Sequence, residues 1–298
     1  MSGVVRTVLG DVPGDRLGVV DAHDHLFIRS PLLPGQELDD ADDAAARLAA
    51  FRDLGGGTVV QWTPYGMGRR ADRLAELSRR SGVHVVAATG LHQAVHYAPE
   101  LLDSVRDSLA ELFVREITAG VAGTDGVRAG LIKVAGGFHG LDAHARLTLR
   151  AAAEAQHRTG AAVAVHLELG TGALDVLDLL CGELGVSPDR VILGHLNRSP
   201  DFAVHRLAAA EGAYLGFDGP SRANHATDWR MPEALEALAD AGFADRLLLG
   251  GDTVTPDTPG MPYLLRRVRP RLELALGREL VERVMVANPA EAFALRTP

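Results

Sequence analysis

The chain contains few residues of several types, and each scarcity excludes a structural feature or a class of protein. Cys181 is the only cysteine among 298 residues, so no disulfide can form within the chain and a reducing compartment is expected. No apolar run reaches the roughly 18 residues of a membrane-spanning helix. Residues 1–15 lack the apolar segment of a secretory signal. We therefore expect a cytoplasmic protein without a membrane partner.

Positive charge is also limited. The 30 Lys+Arg side chains face 39 Asp+Glu, which gives a formal net charge of -9, and no basic run stands out. Nucleic acid is therefore not an expected partner. The hydrophobic fraction of 47% and the charged fraction of 23% are those of an ordinary globular protein.

Lysine is as scarce as cysteine. Lys133 is the only lysine, and it lies in the apolar, strand-like run Gly130–Ala135. Burying an ammonium costs several kcal/mol unless the group is paired or neutralised, and burial lowers the pKa of a lysine. A neutral amine can serve as a Schiff-base nucleophile, as a general base or as a site for CO2 addition, whereas arginine stays charged. The alternative is a lysine that forms a salt bridge with a neighbouring carboxylate.

The chain alternates between apolar strands and helical segments. After a short strand at Val4–Leu9, eight strands are predicted: Leu17–Asp21, Thr58–Trp62, Val83–Ala88, the run with Lys133, Ala161–His166, Val191–His195, Ala213–Phe217 and Arg246–Gly251. Helices are predicted between them, at residues 40–53, Ala71–Arg80, Glu100–Gly120, Ala143–Arg158, Ala173–Leu184, from a cap at Ser199-Pro200 to Gly212, and Pro232–Ala241, with a helical tail to the end.

Eight strands in about 300 residues indicate a (β/α)8 TIM barrel of the α/β class, formed by residues 1–298 as a single domain. The alternative is a doubly wound open sheet. No G-x-G-x-x-G follows the first strand of the eight, and no linker or internal repeat is evident.

Six polar residues fall at the predicted carboxyl ends of barrel strands, where catalytic groups lie in this fold. They are His23, His25, Lys133, His166, His195 and Asp252. Two histidines two residues apart on one strand point to the same face, and a pair of imidazoles suits a divalent transition metal. One such histidine would mean little, but six residues at one barrel face indicate a metal site.

With these residues in view, the chain resembles the phosphotriesterase-like branch of the amidohydrolase superfamily, most closely its lactonase-type members. The resemblance covers nearly the whole chain, and its most specific part is the stretch Gly126–Ala135. The other matching pieces are His23-x-His25, the strand ending in His166, Gly194–Asp201, Phe217–Arg222, Gly251-Asp252 and Asn288–Ala290.

The resemblance implies a binuclear metal centre. His23, His25 and Asp252 would hold the more buried metal, His166 and His195 the more exposed one, and N-carboxylated Lys133 and a hydroxide would bridge them. Two close metals lower the pKa of a shared water and polarise a carbonyl or phosphoryl oxygen. Asp252 would act as the proton shuttle. Zinc is the default metal for these ligands, although Mn, Co or Fe would also fit.

Two departures from the family pattern bear on the substrate. Phosphotriesterases carry an acidic residue after the sixth-strand histidine and a histidine after the seventh-strand aspartate, which form a proton relay. Here Arg198 and Gly219 stand in those places. Members that act on phosphorylated lactones carry a lysine and an Arg-x-x-Tyr, and neither follows Arg222 or Asp252. A neutral lactone or ester is therefore expected.

Five further residues are candidates for substrate binding, because they follow strands on the same face: Trp62, His92, His96, Tyr97 and Arg222. For Trp62 the alternative is a plug of the barrel, and for Arg222 a structural ion pair with Asp218 or Asp252. The predicted function is a metal-dependent hydrolase of lactones or carboxylic esters acting on a small-molecule substrate. The alternatives are a phosphotriesterase and, from another class, a metal-retaining binding protein with little turnover. The sequence leaves a homodimer open.

Overall fold

The computed structural model describes residues 3–220 and 224–297. A hairpin of β1 (Val4–Thr7) and β2 (Gly10–Pro13) precedes eight parallel strands that neighbour one another in chain order. These strands are β3 (Val19–Asp24), β4 (Gly56–Gln61), β5 (His84–Gly90), β6 (Leu131–Ala135), β7 (Ala162–His166), β8 (Val191–Gly194), β9 (Tyr214–Asp218) and β10 (Leu247–Gly250). The last strand meets the first where the backbone N–H of Asp252 donates to the carbonyl of His23 at 2.8 Å. The predicted (β/α)8 barrel is confirmed.

Helices surround the barrel. They are α1 (Ala41–Asp53), α2 (Ala71–Ser81), α3 (Pro99–Val105), α4 (Leu109–Thr118), α5 (Ala143–Thr159), α6 (Ala173–Leu177), α7 (Phe202–Glu211), α8 (His225–Asp228), α9 (Met231–Asp240), α10 (Gly260–Tyr263), α11 (Arg269–Leu276), α12 (Arg278–Glu282) and α13 (Asn288–Ala292). Wider π-helical turns continue α6, α10 and α12, at Asp178–Glu183, Leu264–Val268 and Arg283–Ala287. Among the described residues, no helix is both long and apolar enough to cross a bilayer.

The helix predicted over Glu100–Gly120 is wrong as a single element. It is divided into α3 and α4 by a 3-10 turn at Arg106–Ser108. Serine hydroxyls bond to backbone carbonyls at this point, for example Ser104 to Leu101 at 2.7 Å. Such local bonds compete with a continuous helix.

Two other boundaries also differ from the prediction. Asp201, and not Ser199, caps α7, because its carboxylate accepts the backbone N–H groups of Ala203 and Val204. The tail does not stay helical, since a short strand β11 (Ala294–Leu295) pairs antiparallel with β1. A strand of two residues leaves no periodic pattern to read.

The core has two apolar layers, one between the strands and the helices and one inside the barrel. The inner layer is built from inward-facing strand residues such as Val60, Leu131 and Ile192, as expected for a filled barrel. At its top lies Trp62, 1% exposed, whose indole stacks on the His23 ring with 3.7 Å between centroids. This layer forms the floor beneath the polar residues at the carboxyl ends of the strands.

Candidate active site

One cavity of about 770 Å³ opens at the carboxyl ends of the barrel strands, and all six predicted ligand residues line it. His23 and His25 come from the end of β3, Lys133 from β6, His166 from β7, His195 from the residue after β8, and Asp252 from just beyond β10. The parallel barrel topology brings together residues that span 229 positions of the chain between His23 and Asp252 (252 − 23).

His23, His25 and Asp252 form a buried cluster in the cavity. The Nε2 atoms of both histidines lie 3.4 Å from Oδ1 of Asp252, and each side chain is at most 5% exposed. The ligand atoms of these three residues lie close enough together to hold one metal ion.

Hydrogen bonds on the far side of each ring fix which nitrogen faces the cavity. Thr63 donates its hydroxyl proton to the carbonyl of Phe27, so its oxygen accepts the Nδ1–H of His25 at 2.7 Å. The carboxylate of Asp218 accepts the Nδ1–H groups of both His23, at 2.8 Å, and His195. In the neutral form, each of the three histidines therefore presents an unprotonated Nε2 to the cavity.

His166 and His195 form a second pair. Nε2 of His195 lies 2.8 Å from Nδ1 of His166. On its other side, His166 Nε2 donates to Glu168 Oε2 at 3.1 Å, which leaves Nδ1 without a proton in the neutral ring. Two nitrogen lone pairs thus face each other across a short gap.

This donor set fits metal ions. Four imidazole lone pairs and a carboxylate oxygen converge on one cavity, and acceptors held this close repel one another unless a cation or a proton lies between them. Histidine nitrogens and carboxylate oxygens are the usual ligands of zinc and related divalent metals. The carboxylate and hydroxyl partners of the rings are the supports that ligand histidines generally have.

Lys133 lies beside this cluster and is 2% exposed. Burial lowers the pKa of Lys133 to about 7, and Asp252 only partly offsets this effect by attraction through space. The neutral amine is therefore readily available near neutral pH. On the neighbouring strand, Gly90 is the register partner of Lys133, and a Cβ at Gly90 would lie 1.9 Å from the Lys133 carbonyl oxygen, so the two strands can pair this closely only with glycine there.

Two of the candidate ligands have left-handed backbones, with φ 65° at His195 and φ 46° at Asp252. This conformation is uncommon outside glycine, and strained residues of this kind cluster at functional sites. Backbone hydrogen bonds hold both residues in place. The N–H of His195 donates to Asp218 at 3.1 Å, and that of Asp252 to His23 at 2.8 Å.

Arg198 reaches the site from the turn Leu196–Arg198. Its Nη2 donates to Oδ2 of Asp252 at 2.5 Å. Burial alone would raise the pKa of Asp252, but the nearby His23, His195 and Arg198 bring it well below its ordinary value. Asp252 is therefore held as an anion.

The five substrate-binding candidates take different places. His92 and His96 line the cavity, with their rings stacked at 4.3 Å. Tyr97 lies behind them, where its hydroxyl accepts the backbone N–H of His92 at 2.7 Å. Trp62 lies below the cavity in the barrel interior, which corresponds to the alternative of a plug. Arg222 lies outside the described residues.

Sequence reasoning missed Asp218, Glu168 and Thr63 as parts of the site. From the sequence, Asp218 is expected only as an ion-pair partner of Arg222. It is nevertheless the last residue of β9, and the strand-end rule that selected the ligands selects it too. Glu168 follows His166 by two residues, and nothing in the sequence indicates that they interact.

The donor set at the carboxyl face of the barrel is a candidate metal site, and the comparisons with known proteins place the chain in a family of metal-dependent hydrolases. The model of the phosphotriesterase family matches residues 3–293, so the chain belongs to that family. The predicted family and the predicted class of enzyme are confirmed.

Individual relatives are named for several hydrolytic activities. A phospho-furanose lactonase of Mycoplasmopsis synoviae (strain 53) is 30% identical over 326 residues, which cover 97% of this chain and 91% of the relative. An N-acetyltaurine hydrolase of Danio rerio is 26% identical over 341 residues, 97% of either chain. The crystal structure of the lactonase Lmo2620 from Listeria monocytogenes matches with a TM-score of 0.92 at 28% identity, covering 99% of this chain and all of that one.

Proposed function

We propose that the protein is a binuclear metal-dependent hydrolase of lactones or carboxylic esters. The observation that carries this proposal is the convergence of four unprotonated imidazole nitrogens and the Asp252 carboxylate on one cavity beside a buried lysine. Membership of a family of hydrolases and the similarity to lactonases support it.

In this proposal His23, His25 and Asp252 hold one divalent metal, and His166 and His195 hold the other. Zinc is the default, and Mn, Co or Fe suit the same ligands. Bound there, two metals would lower the pKa of a water and polarise the substrate carbonyl. N-carboxylated Lys133 would add a second carboxylate ligand to the site. Its carbamate would form when CO2 adds to the neutral amine, the form that burial favours, with release of one proton.

Asp252 is the proposed proton shuttle. The hydroxyl of the attacking water adds to the carbonyl carbon, and the proton that it leaves goes to Asp252. The acyl C–O bond then breaks, and Asp252 returns the proton to the departing oxygen. Oδ1 of Asp252 faces the two histidine Nε2 atoms, and Oδ2, which already accepts one hydrogen bond from Arg198, offers its second lone pair to this proton.

His92 and His96 are the proposed substrate contacts. The backbone N–H of Gln93 donates to Nδ1 of His92 at 2.7 Å, so the proton of the neutral ring lies on Nε2. Burial lowers the pKa of His92 well below its usual value, which keeps the ring neutral. His92 can therefore donate one hydrogen bond to a substrate oxygen without adding charge to the cavity.

A neutral substrate is the proposed class. Among the described residues that line the cavity, Arg198 is the one arginine, and Asp252 already neutralises it. The rim includes apolar side chains suited to an uncharged substituent, namely Ile28, Leu32, Leu33, Phe138 and Val254. Phosphotriesterase activity is the second candidate, and only the membership of the phosphotriesterase family supports it.

The test is a kinetic comparison on the metal-loaded protein. Neutral lactones and carboxylic esters are expected to give higher kcat/KM than their phosphorylated counterparts and than paraoxon-like triesters. A clear preference for a phosphorylated lactone would contradict the neutral class and would assign the binding of phosphate to another group, such as Arg222. No turnover of any of these substrates would favour the metal-retaining binding protein.

A further inference from the structure

Arg198 and Gly219 meet at the carboxylate of Asp252, and their contacts indicate what this arrangement does. Arg198 extends from the turn after β8 to Asp252 beyond β10. Its side chain is 18% exposed, and that of Asp252 is 4% exposed. An ion pair this buried contributes little net stability when desolvation is counted, so a positional role is the better explanation for it.

Gly219 makes this ion pair possible. A Cβ at residue 219 would lie 2.5 Å from Nη2 of Arg198 and 2.8 Å from Oδ2 of Asp252. The backbone there has φ +62°, which also favours glycine. Any side chain at 219 would displace the guanidinium or the carboxylate, so Gly219 and Arg198 act as one unit.

The ion pair gives the two oxygens of Asp252 different surroundings. Oδ1 faces Nε2 of His23 and of His25 at 3.4 Å, whereas Oδ2 receives the guanidinium. The terminal torsion of an aspartate is otherwise broad. Arg198 therefore fixes the plane of the carboxylate.

Arg198 also cannot relay a proton away from Asp252. A guanidinium has no acceptor atom and does not deprotonate in proteins, so it cannot carry a proton from Asp252 to solvent. A proton taken up by Asp252 therefore does not pass through Arg198 and is available to the departing oxygen. An alkoxide leaving oxygen takes up that proton, whereas an aryloxide is stable without it.

We propose that Arg198, in the space left by Gly219, is a positioning residue that orients Asp252 and directs its proton to the leaving oxygen, so that the enzyme favours lactones and alkyl esters over aryl esters. This inference rests on the proposed hydrolase function. It concerns the leaving group and not the acyl group.

The test compares an alkyl ester and an aryl ester of the same acid. In Arg198→Met, kcat on the alkyl ester should fall by about 10- to 100-fold, a part of the usual general acid–base contribution. KM should change little. The factor by which kcat falls on the aryl ester should be about ten times smaller than the factor on the alkyl ester. Arg198→Lys should recover part of the alkyl preference, and free guanidinium ion should partly restore Arg198→Ala.

Gly219→Ala should shift the alkyl-to-aryl ratio in the same direction as Arg198→Met. Because the two residues act as one unit, the double variant should be no worse than Arg198→Met alone. Metal content, measured independently of activity, should stay near that of the wild type in each of these variants.

Arg190→Met is the matched control, since it removes a buried guanidinium bonded to the Ala294 carbonyl far from the cavity. It should lower Tm without changing the ratio.

An alkyl-to-aryl ratio in Arg198→Met and Arg198→Lys equal to that of the wild type would overturn the inference, even if both activities fell together. Loss of metal in Arg198→Met would also overturn it as stated, by showing that Arg198 supports the metal site itself. A wild-type protein that is fully loaded with metal but inactive on every lactone and ester would instead refute the proposed function.

Discussion

Asp218 joins the two halves of the candidate metal site. Its two carboxylate oxygens accept Nδ1–H groups from His23 and His195, one histidine from each proposed metal position. Burial alone would raise the pKa of Asp218, but the two histidines bring it well below its usual range. The carboxylate therefore stays ionised and fixes both rings in the tautomer that a metal requires.

Lys133 can be tested directly because it is the only lysine of the chain. An ammonium beside two dications would be strongly repelled, whereas a carbamate carries the opposite charge. Lys133→Ala should lose metal and activity, and acetate or propionate should restore part of both by filling the gap. Lys133→Arg should not be rescued, since its side chain occupies the space and stays positive.

Mass analysis of the metal-loaded protein under CO2-retaining conditions measures the modification itself. An increase of one CO2 at Lys133 is expected. An unmodified amine with both metals bound would assign the bridge to another residue.

Asp252 combines two proposed roles that a conservative substitution separates. Asp252→Asn keeps one oxygen for a metal and removes the group that takes up a proton. Much of the metal should remain bound, while turnover should fall by roughly 10²–10⁴, the usual size of a general-base contribution. Turnover near that of the wild type would remove Asp252 from proton transfer.

The six ligand candidates were predictable from single residues because a parallel barrel places every strand end at one face. Their partners were harder to predict. His23 and Asp218 are 195 residues apart, and only the folded barrel shows that they touch. The ion pair of Arg198 with Asp252 spans 54 residues and depends on a glycine at a third place in the chain. The sequence does not show such three-part arrangements.

At the scale of elements, the turn Leu196–Arg198 between β8 and α7 is the connection that matters most. Asn197 fastens it to the end of β9, where its side-chain oxygen accepts the N–H of Asp218 at 3.0 Å and its Nδ2 donates to the Asp218 carbonyl at 2.9 Å. The same side chain donates to Asp228 at 2.7 Å. His195 directly precedes this turn and Arg198 is its last residue, so the anchored Asn197 lies between the two.

Asn197→Ala should therefore impair the site as well as stability. It leaves a buried N–H and a buried carbonyl without partners, at about 1–3 kcal/mol for each group. We expect a lower Tm and a weaker metal affinity, measured by competition with a chelator.

Asp201→Ala is the matched control for Asn197→Ala, because it removes the cap of α7 at about 1 kcal/mol without touching the ligands. It should lower Tm and leave metal affinity unchanged. Equal metal affinity in the two variants would show that the Asn197 anchor does not hold the site.

In the molecule as a whole, the apolar residues that stabilise the barrel and the polar residues of the candidate site occupy different levels of the fold. The inner apolar layer, with Trp62 at its top, lies below the cavity, and the polar cluster lies above it. The barrel could be predicted from the alternation of strands and helices. The break between α3 and α4 and the closing strand β11 could not, because local serine bonds and a two-residue pairing leave no periodic signal.

Metal analysis of carefully reconstituted protein measures how many metal ions this barrel holds. We expect about two divalent ions per chain and loss of hydrolytic activity when a chelator removes them. One ion per chain, or none, in protein that remains folded would contradict the binuclear site.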